Sequence, residues 1–164
     1  MNIIKIEKNN MVNGDGLRTV IWCAGCNHYC KNCQNPEAQN PNIGTPFGDW
    51  VFDELKSQLD KKEISGVTFS GGECTYSGNI DDSTKIMKWI KENYPNKTIW
   101  AYTGYLYEDI KNFEMMKYFD VLIDGQYVEA LNPGIGKLLW RGSSNQRIID
   151  VKASLQAKDI IIKE

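Results

Sequence analysis

Short apolar runs alternate with longer amphipathic segments through the centre of the chain. The apolar runs are rich in β-branched and aromatic residues and predict buried strands at residues 17–23, 65–70, 98–102 and 120–123. The segments between them place apolar residues at helical spacing and predict helices at residues 49–60, 81–94 and 107–118. Strands that alternate with helices in this way are typical of an α/β fold with a parallel sheet.

The two ends of the chain carry weaker patterns. Residues 2–7 predict a short edge strand, and residues 147–151 with 159–163 are interpreted as terminal strands or a tail. The total of about five or six strands is too few for a closed eight-stranded barrel. We therefore expect an α/β fold whose mostly parallel strands form an open, curved sheet.

Three cysteines follow directly after the first buried run. Cys26, Cys30 and Cys33 have the spacing C-x3-C-x2-C, and thiols this close together in a reduced chain predict a metal site. A four-iron cluster normally takes four cysteine thiolates, so three ligands from one loop would leave one iron open to another molecule.

Other interpretations of these thiols remain open from spacing alone. A structural zinc site needs four ligands, and Cys23 or His28 could supply the fourth. A disulfide pair is less favoured, because the chain has five cysteines and no secretory signal. We interpret His28, the only histidine, as a solvent-facing loop residue, with a role in tuning a cluster as the alternative. Cys23 and Cys74 are interpreted as buried, unreactive thiols.

Composition excludes several classes of protein. The 164 residues suffice for one hydrophobic core, and the net charge of −2 gives no reason to expect nucleic acid as the main partner. No apolar run is long enough to cross a bilayer, and the N-terminus lacks the layout of a signal peptide. We therefore expect a cytoplasmic protein, since free thiols persist there, with neither a membrane nor a nucleic acid as partner.

The cysteine spacing resembles that of the radical S-adenosylmethionine (SAM) superfamily. Three further segments resemble one family within it, the activating enzymes of anaerobic, class III ribonucleoside-triphosphate reductases. These segments are residues 12–16 (Val-Asn-Gly-Asp-Gly), 103–105 (Thr-Gly-Tyr) and 140–146 (Trp-Arg-Gly-Ser-Ser-Asn-Gln). The resemblance implies that residues 1–164 form a single radical SAM domain, an open, partial TIM-like β/α barrel.

The resemblance also implies a function. Cys26, Cys30 and Cys33 would bind a 4Fe-4S cluster, and SAM would occupy the open iron. Reductive cleavage of SAM would give a 5′-deoxyadenosyl radical, which would generate a glycyl radical on the large subunit of the reductase. The electron would come from a flavodoxin- or ferredoxin-like donor, and no catalytic side chain is implied beyond the cluster and SAM.

The residues that the resemblance places against SAM follow three of the predicted strands. They are Asn32, Cys33, Gln34, Gly71, Gly72, Glu73, Thr103 and Asp124. Glu73 would accept a hydrogen bond from the methionyl ammonium, and Thr103 and Asp124 would lie near the ribose or carboxylate, where a monovalent cation could bridge. Arg141 would bind a carboxylate or contact the reductase.

Some of these positions have simpler explanations or depart from the family. Gly71 and Gly72 could form only a tight turn, and Thr103 and Asp124 could each cap a following helix. Glu73 precedes Cys74 where the family usually has aspartate followed by proline, and Asn32 stands where many superfamily members carry an aromatic residue.

Two other functions compete with this one. The chain could activate another glycyl-radical enzyme, of the pyruvate formate-lyase type, or carry out radical chemistry on a small molecule. Alternatively it could be a zinc-stabilised binding module or a simple electron carrier without catalytic activity.

Overall fold

A seven-stranded sheet organises the structure, a computed structural model that describes residues 1–163. In chain order the strands are β1 (Asn2–Asn10), β2 (Leu17–Cys23), β3 (Thr45–Pro46), β4 (Ile64–Gly71), β5 (Thr98–Tyr102), β6 (Val121–Asp124) and β7 (Arg147–Asp150). Their order across the sheet is β3-β1-β2-β4-β5-β6-β7, so the sheet is open.

Parallel and antiparallel pairings are mixed in this sheet. The pairings β2·β4, β4·β5 and β5·β6 are parallel, whereas β1·β2, β1·β3 and β6·β7 are antiparallel. The prediction of an α/β fold is confirmed, but the prediction of five or six mostly parallel strands is wrong. It missed β3, which is only two residues long and pairs with Asn2 and Ile3, so β1 is not an edge strand.

Within residues 1–163, three α-helices connect strands and a fourth follows the last strand. They are α1 (Trp50–Leu59), α2 (Ile80–Asn93), α3 (Tyr107–Ile110) and α4 (Val151–Ala157). Short 3₁₀ helices span Pro36–Gln39, Glu114–Tyr118 and Glu129–Leu131. None of the helices within residues 1–163 is long and apolar enough to cross a membrane.

The helices cover one face of the sheet only. Val67 and Ile99 point into a core that also contains the buried residues of the four α-helices. The residues next to them alternate to the other side. There Trp100 belongs to a smaller cluster, made of strand residues and Trp140, that includes no helical residue. We call this second side the helix-free face; the loops at residues 11–16 and 138–146 lie over its side chains.

A buried arginine attaches the first of these loops. Arg18 is fully buried; it donates hydrogen bonds to Thr68 Oγ1 at 2.7 Å and to the carbonyl oxygen of Asp15 at 3.0 Å. Its guanidinium also lies 5.1 Å from the ring centre of Trp100. Burial lowers the pKa of Arg18 to about 10, which leaves it charged at neutral pH. Segment 12–16, one of the three that supported the resemblance, is therefore held on the helix-free face.

Two predicted elements differ in the structure. The helix predicted at residues 107–118 is broken, because Phe113 is extended (φ −69°, ψ 141°) and separates α3 from the 3₁₀ helix Glu114–Tyr118. Phe113 is 37% exposed, while Met115 and Met116 are buried. The terminal strand predicted at residues 147–151 is present as β7, but the segment that follows it contains α4, whose first turn is capped by Asp150 accepting from the Ala153 amide at 2.9 Å.

Candidate functional site

The cysteine loop begins where β2 ends, beside the carboxyl end of its parallel neighbour β4. Two backbone hydrogen bonds join these ends: the Gly72 amide donates to the Cys23 carbonyl at 2.8 Å, and the Glu73 amide donates to the Gly25 carbonyl at 2.8 Å. Sites in parallel α/β folds gather at such strand ends. The loop carrying the three thiols is therefore fixed at its base to the Gly-Gly-Glu segment.

Gly71 and Gly72 are needed for this contact. Gly71 has φ +88°, a conformation that glycine adopts without strain. A Cβ on Gly72 would lie 2.5 Å from the Gly25 carbonyl oxygen and 2.9 Å from that of Ala38. The close approach that the glycines permit here is therefore between two segments of the same chain.

All three thiols of the loop are free and partly exposed. Burial raises the pKa of Cys26 to about 11 and also raises the pKa of Cys30, so these two must lose a proton to bind a metal. Among residues 1–163, no three Cys, His, Asp or Glu side chains are placed to hold one metal ion. A four-iron cluster does not require that, because each thiolate binds a different iron. The donor set of three thiols therefore fits such a cluster.

Zinc fits this site less well. Zinc needs four ligands converging on one ion, and both candidates for the fourth ligand are engaged elsewhere. Cys23 is fully buried in the main core, where burial raises its pKa to about 12. His28 Nε2 lies 2.9 Å from Glu73 Oε2. Cys23 and Cys74, at 0% and 2% exposure, are the buried thiols that the sequence predicted.

The prediction that His28 faces solvent is wrong. Its side chain is 8% exposed and bonded to Glu73, which is itself 1% exposed. The same carboxylate oxygen accepts from Thr103 Oγ1 at 2.9 Å and from the Gly104 amide at 2.8 Å. The other oxygen accepts from the hydroxyl and the amide of Thr75. Sequence patterns could not reveal this contact, since 45 residues separate the two partners.

An open cleft of about 350 Å³ lies on the helix-free face next to the cysteine loop. This volume is in the range of small-molecule sites. Four of the residues predicted to contact SAM line it: Cys33, Gln34, Gly71 and Arg141. The other predicted contacts are not in its lining: Asn32, Gly72, Glu73, Thr103 and Asp124. The cleft thus brings the end of the cysteine loop, the end of β4 and segment 140–146 together.

Comparison with known proteins identifies the family. A family model described as a 4Fe-4S single cluster domain matches residues 12–149. The anaerobic ribonucleoside-triphosphate reductase-activating protein of Enterobacteria phage T4 is 43% identical over 148 residues, covering 90% of this chain and 93% of the phage protein. The proteins of the same name from Haemophilus influenzae and Escherichia coli K12 are each 33% identical, over 153 and 150 residues. These alignments cover 90% and 89% of this chain, and 97% and 96% of those relatives.

The chain belongs to the anaerobic ribonucleoside-triphosphate reductase-activating protein family. The family recognised from the sequence is therefore confirmed, and the matching family model supports an iron–sulfur cluster. The match spans the cysteine loop, the Gly-Gly-Glu segment and most of the cleft.

Segment 140–146, which pointed to this family in the sequence, forms one wall of the cleft. Gln146 holds it together: its Oε1 accepts from the Gly142 amide at 2.8 Å and from the Ser143 amide at 3.2 Å. Arg141 Nη1 donates to the Gln146 carbonyl at 3.1 Å, whereas its Nε is buried without a hydrogen-bond partner among residues 1–163. A buried donor without a partner is costly, so Nε would gain from an acceptor if the side chain turned toward the cleft that it lines.

Three predicted contacts outside the cleft have partners within the chain. Asn32 Nδ2 donates to Glu129 Oε1 at 2.7 Å. Asp124 is fully buried, accepts from the Tyr107 amide at 2.8 Å and pairs with Arg147. Asp124 thus binds the first amide of α3, a helix that precedes it in the chain, and does not cap a following helix as the simpler interpretation had it. Thr103 Oγ1 accepts from the Tyr105 amide at 3.1 Å in addition to donating to Glu73.

Sequence analysis missed several residues that line the cleft, among them three on strands. Trp22, Ser70 and Tyr102 occupy the last positions of β2, β4 and β5 that face the helix-free side. Side chains alternate between the two faces of a strand. Every second residue back from the carboxyl end of each predicted strand would therefore have identified them. Their aromatic rings and hydroxyl groups contribute both apolar and polar surface to the cleft.

Proposed function

We propose that the chain is a radical SAM activase that reductively cleaves SAM to a 5′-deoxyadenosyl radical. That radical would generate a glycyl radical on the large subunit of the anaerobic ribonucleoside-triphosphate reductase. One observation carries the proposal: the cleft places Cys33 of a three-thiol loop beside Gly71 and Arg141. The names of the relatives support the same protein substrate.

Cys26, Cys30 and Cys33 would hold the 4Fe-4S cluster. When bound, the cluster would supply one electron to break the sulfonium C–S bond of SAM, which yields methionine and the radical that abstracts hydrogen from the partner's glycine. Three protein ligands would leave one iron for the amino and carboxylate groups of SAM. Because Cys33 also lines the cleft, a molecule in the cleft would lie next to the cluster.

The cleft residues would orient SAM. Gln34 and Gly71 offer polar backbone groups beside Cys33, and Arg141 offers a cation and an unpartnered Nε to a carboxylate. Glu73 lies behind the cysteine loop, so it would bind the methionyl ammonium by exchanging one of its present donors. Asn32, Gly72, Thr103 and Asp124, the last two with a bridging monovalent cation, would complete the contacts to SAM.

The open sheet suits a protein substrate. A partial, TIM-like barrel that is not closed would leave its helix-free face accessible to the reductase, and the chain would add no acid or base of its own. A flavodoxin- or ferredoxin-like protein would deliver the electron. We place the reaction in the cytosol, where free thiols such as the five described here persist.

The test is transfer of the radical to defined partners. The reconstituted protein, SAM and a reductant would be incubated anaerobically with the reductase large subunit or with pyruvate formate-lyase, and radicals would be detected by electron paramagnetic resonance. We expect a glycyl radical on the reductase alone, and none when Cys30→Ala replaces the wild type. A radical only on pyruvate formate-lyase would favour the second candidate, activation of another glycyl-radical enzyme.

A further inference from the structure

The Thr-Gly-Tyr segment at residues 103–105 has no part in the function proposed so far beyond a contact of Thr103. It follows β5, the strand next to β4, and therefore lies beside the Gly-Gly-Glu turn. Each of its three residues contacts either His28 or Glu73, and this shared property suggests one purpose for the whole segment.

The segment encloses the His28 ring. The ring packs edge-on against Tyr105, with ring centres 4.4 Å apart, and the Tyr105 hydroxyl accepts from Asn27 Nδ2 at 3.0 Å. A Cβ on Gly104 would lie 2.4 to 2.7 Å from ring atoms of His28. Gly104 does not have a positive φ, so its lack of a side chain is explained by the space that the ring requires.

The hydrogen-bond partners of His28 show that one of its ring nitrogens donates to Glu73. Gln126 Nε2 lies 3.3 Å from His28 Nδ1, and a side-chain amide nitrogen can only donate. Glu73 Oε2 is an acceptor, since it also accepts from Thr103 Oγ1 and the Gly104 amide, so His28 Nε2 carries a hydrogen and donates to it. His28 therefore joins the middle of the cysteine loop to a carboxylate that β4 and β5 hold in place.

We infer that His28 is a positioning residue that fixes the cysteine loop to Glu73, and that Thr103-Gly104-Tyr105 is the cradle that holds its ring. His28 lies between Cys26 and Cys30, so the bond to Glu73 fixes the segment that connects two of the thiols. Within this segment Tyr29 is 71% exposed and, among residues 1–163, Asn27 bonds only to the exposed Tyr105 hydroxyl, so His28 supplies the one bond to a buried partner. One consequence rests on the proposed function: the same bond would orient the Glu73 carboxylate for SAM.

The direct test measures opening of the loop in the full chain before a cluster is loaded. Trypsin cuts after Lys31, an exposed loop residue, only when the loop opens locally. We expect His28→Ala and Gly104→Ala each to raise the rate of this cut about tenfold, as loss of one hydrogen bond to a charged group would. Tyr29→Ala, in the same loop, is the matched control and should leave the rate unchanged.

A double variant tests whether the two positions act through one contact. In H28A/G104A the methyl group added at residue 104 no longer meets an imidazole ring. The rate of tryptic cleavage should therefore exceed that of either single variant by less than about twofold. His28→Gln can still donate to Glu73 and should restore part of the protection, while His28→Leu, which only fills space, should not. Effects that multiply in the double variant, or equal protection by Gln and Leu, would overturn the inference.

A second measurement separates this inference from the proposed function. With the cluster loaded, the dissociation constant of SAM should rise about tenfold in His28→Ala at unchanged iron content. If the His28 and Gly104 substitutions are coupled in the trypsin assay but SAM binding does not change, the positioning role of His28 stands. In that case SAM does not bind through Glu73. If trypsin shows no coupling, the positioning role fails whatever SAM does.

Discussion

Arg141 is the cationic side chain that faces the cleft beside Cys33 and Gly71. One nitrogen of its guanidinium is bonded to the Gln146 carbonyl, and its Nε is buried without a partner among residues 1–163. A donor left in this state costs free energy that a bound carboxylate would recover. Of the two roles predicted for Arg141, contact with a ligand in the cleft is therefore the one to test first.

Replacing Arg141 should weaken SAM binding. We expect Arg141→Ala to raise the SAM dissociation constant about tenfold to a hundredfold, the range for losing a charged hydrogen bond, with Arg141→Lys in between. Equilibrium dialysis of the loaded protein measures it. Lys137→Ala removes an exposed charge from the same segment and should have no effect. Equal weakening by both variants would point to the net charge of the segment instead.

Gly72 tests the contact between β4 and the base of the cysteine loop. A methyl group there would press on two carbonyl oxygens, at 2.5 and 2.9 Å, that belong to fixed backbone. We expect Gly72→Ala to lower the free energy of unfolding by about 1–3 kcal/mol, as overpacking does. Gly48→Ala is the control in urea unfolding, because its nearest neighbour would be at an ordinary 3.4 Å. Equal stability of the two variants would contradict the contact.

Asp120 links three elements at the opposite end of the sheet. Its Oδ2 accepts from Lys91 of α2 at 2.6 Å and from the Ile99 amide of β5 at 2.7 Å, and its Oδ1 pairs with Lys152 of α4. Burial works to raise the pKa of Asp120, but these hydrogen bonds outweigh it and hold the pKa below its ordinary value. The charged form is therefore the one that the fold stabilises.

The sign of this shift predicts acid sensitivity. A carboxylate whose pKa is lowered in the folded protein stabilises the fold fully above its unfolded pKa of about 4. This contribution is lost as the pH falls through the pKa of the folded state. We expect Asp120→Asn to be less stable by about 2 kcal/mol at pH 7, with a flatter dependence below pH 4. Urea unfolding followed by Trp fluorescence measures both. If Asp120→Asn kept the acid dependence of the wild type, other carboxylates would be responsible.

Strands were predicted more accurately than the segments that lack a pattern of their own. β2 and β5 have the predicted bounds, because each is a dense apolar run bounded by polar or glycine residues. β3 is too short to show a period, and α4 was missed although Asp150 stands at its N-cap. The break at Phe113 depends on packing of Met115 and Met116, which local periodicity does not describe.

Across the whole molecule, the site is built from strand ends and from two loops that cross the helix-free face. The sequence located Cys26, Cys30 and Cys33 by their spacing, and Gly71 by its place after a strand. It could not show that Glu73 is buried against His28, since that contact depends on how the strands are ordered. The sequence also could not show which of the predicted SAM contacts line the cleft, because that depends on how the chain folds.

The central claim is that three thiols hold a four-iron cluster with one iron open to SAM. Anaerobic electron paramagnetic resonance of the reconstituted, reduced protein, with and without SAM, tests it most directly. We predict a reduced four-iron signal that changes when SAM is added and that is absent in Cys30→Ala but retained in Cys74→Ala. Absence of an iron signal together with tightly held zinc, or an iron signal that SAM does not alter, would contradict the claim.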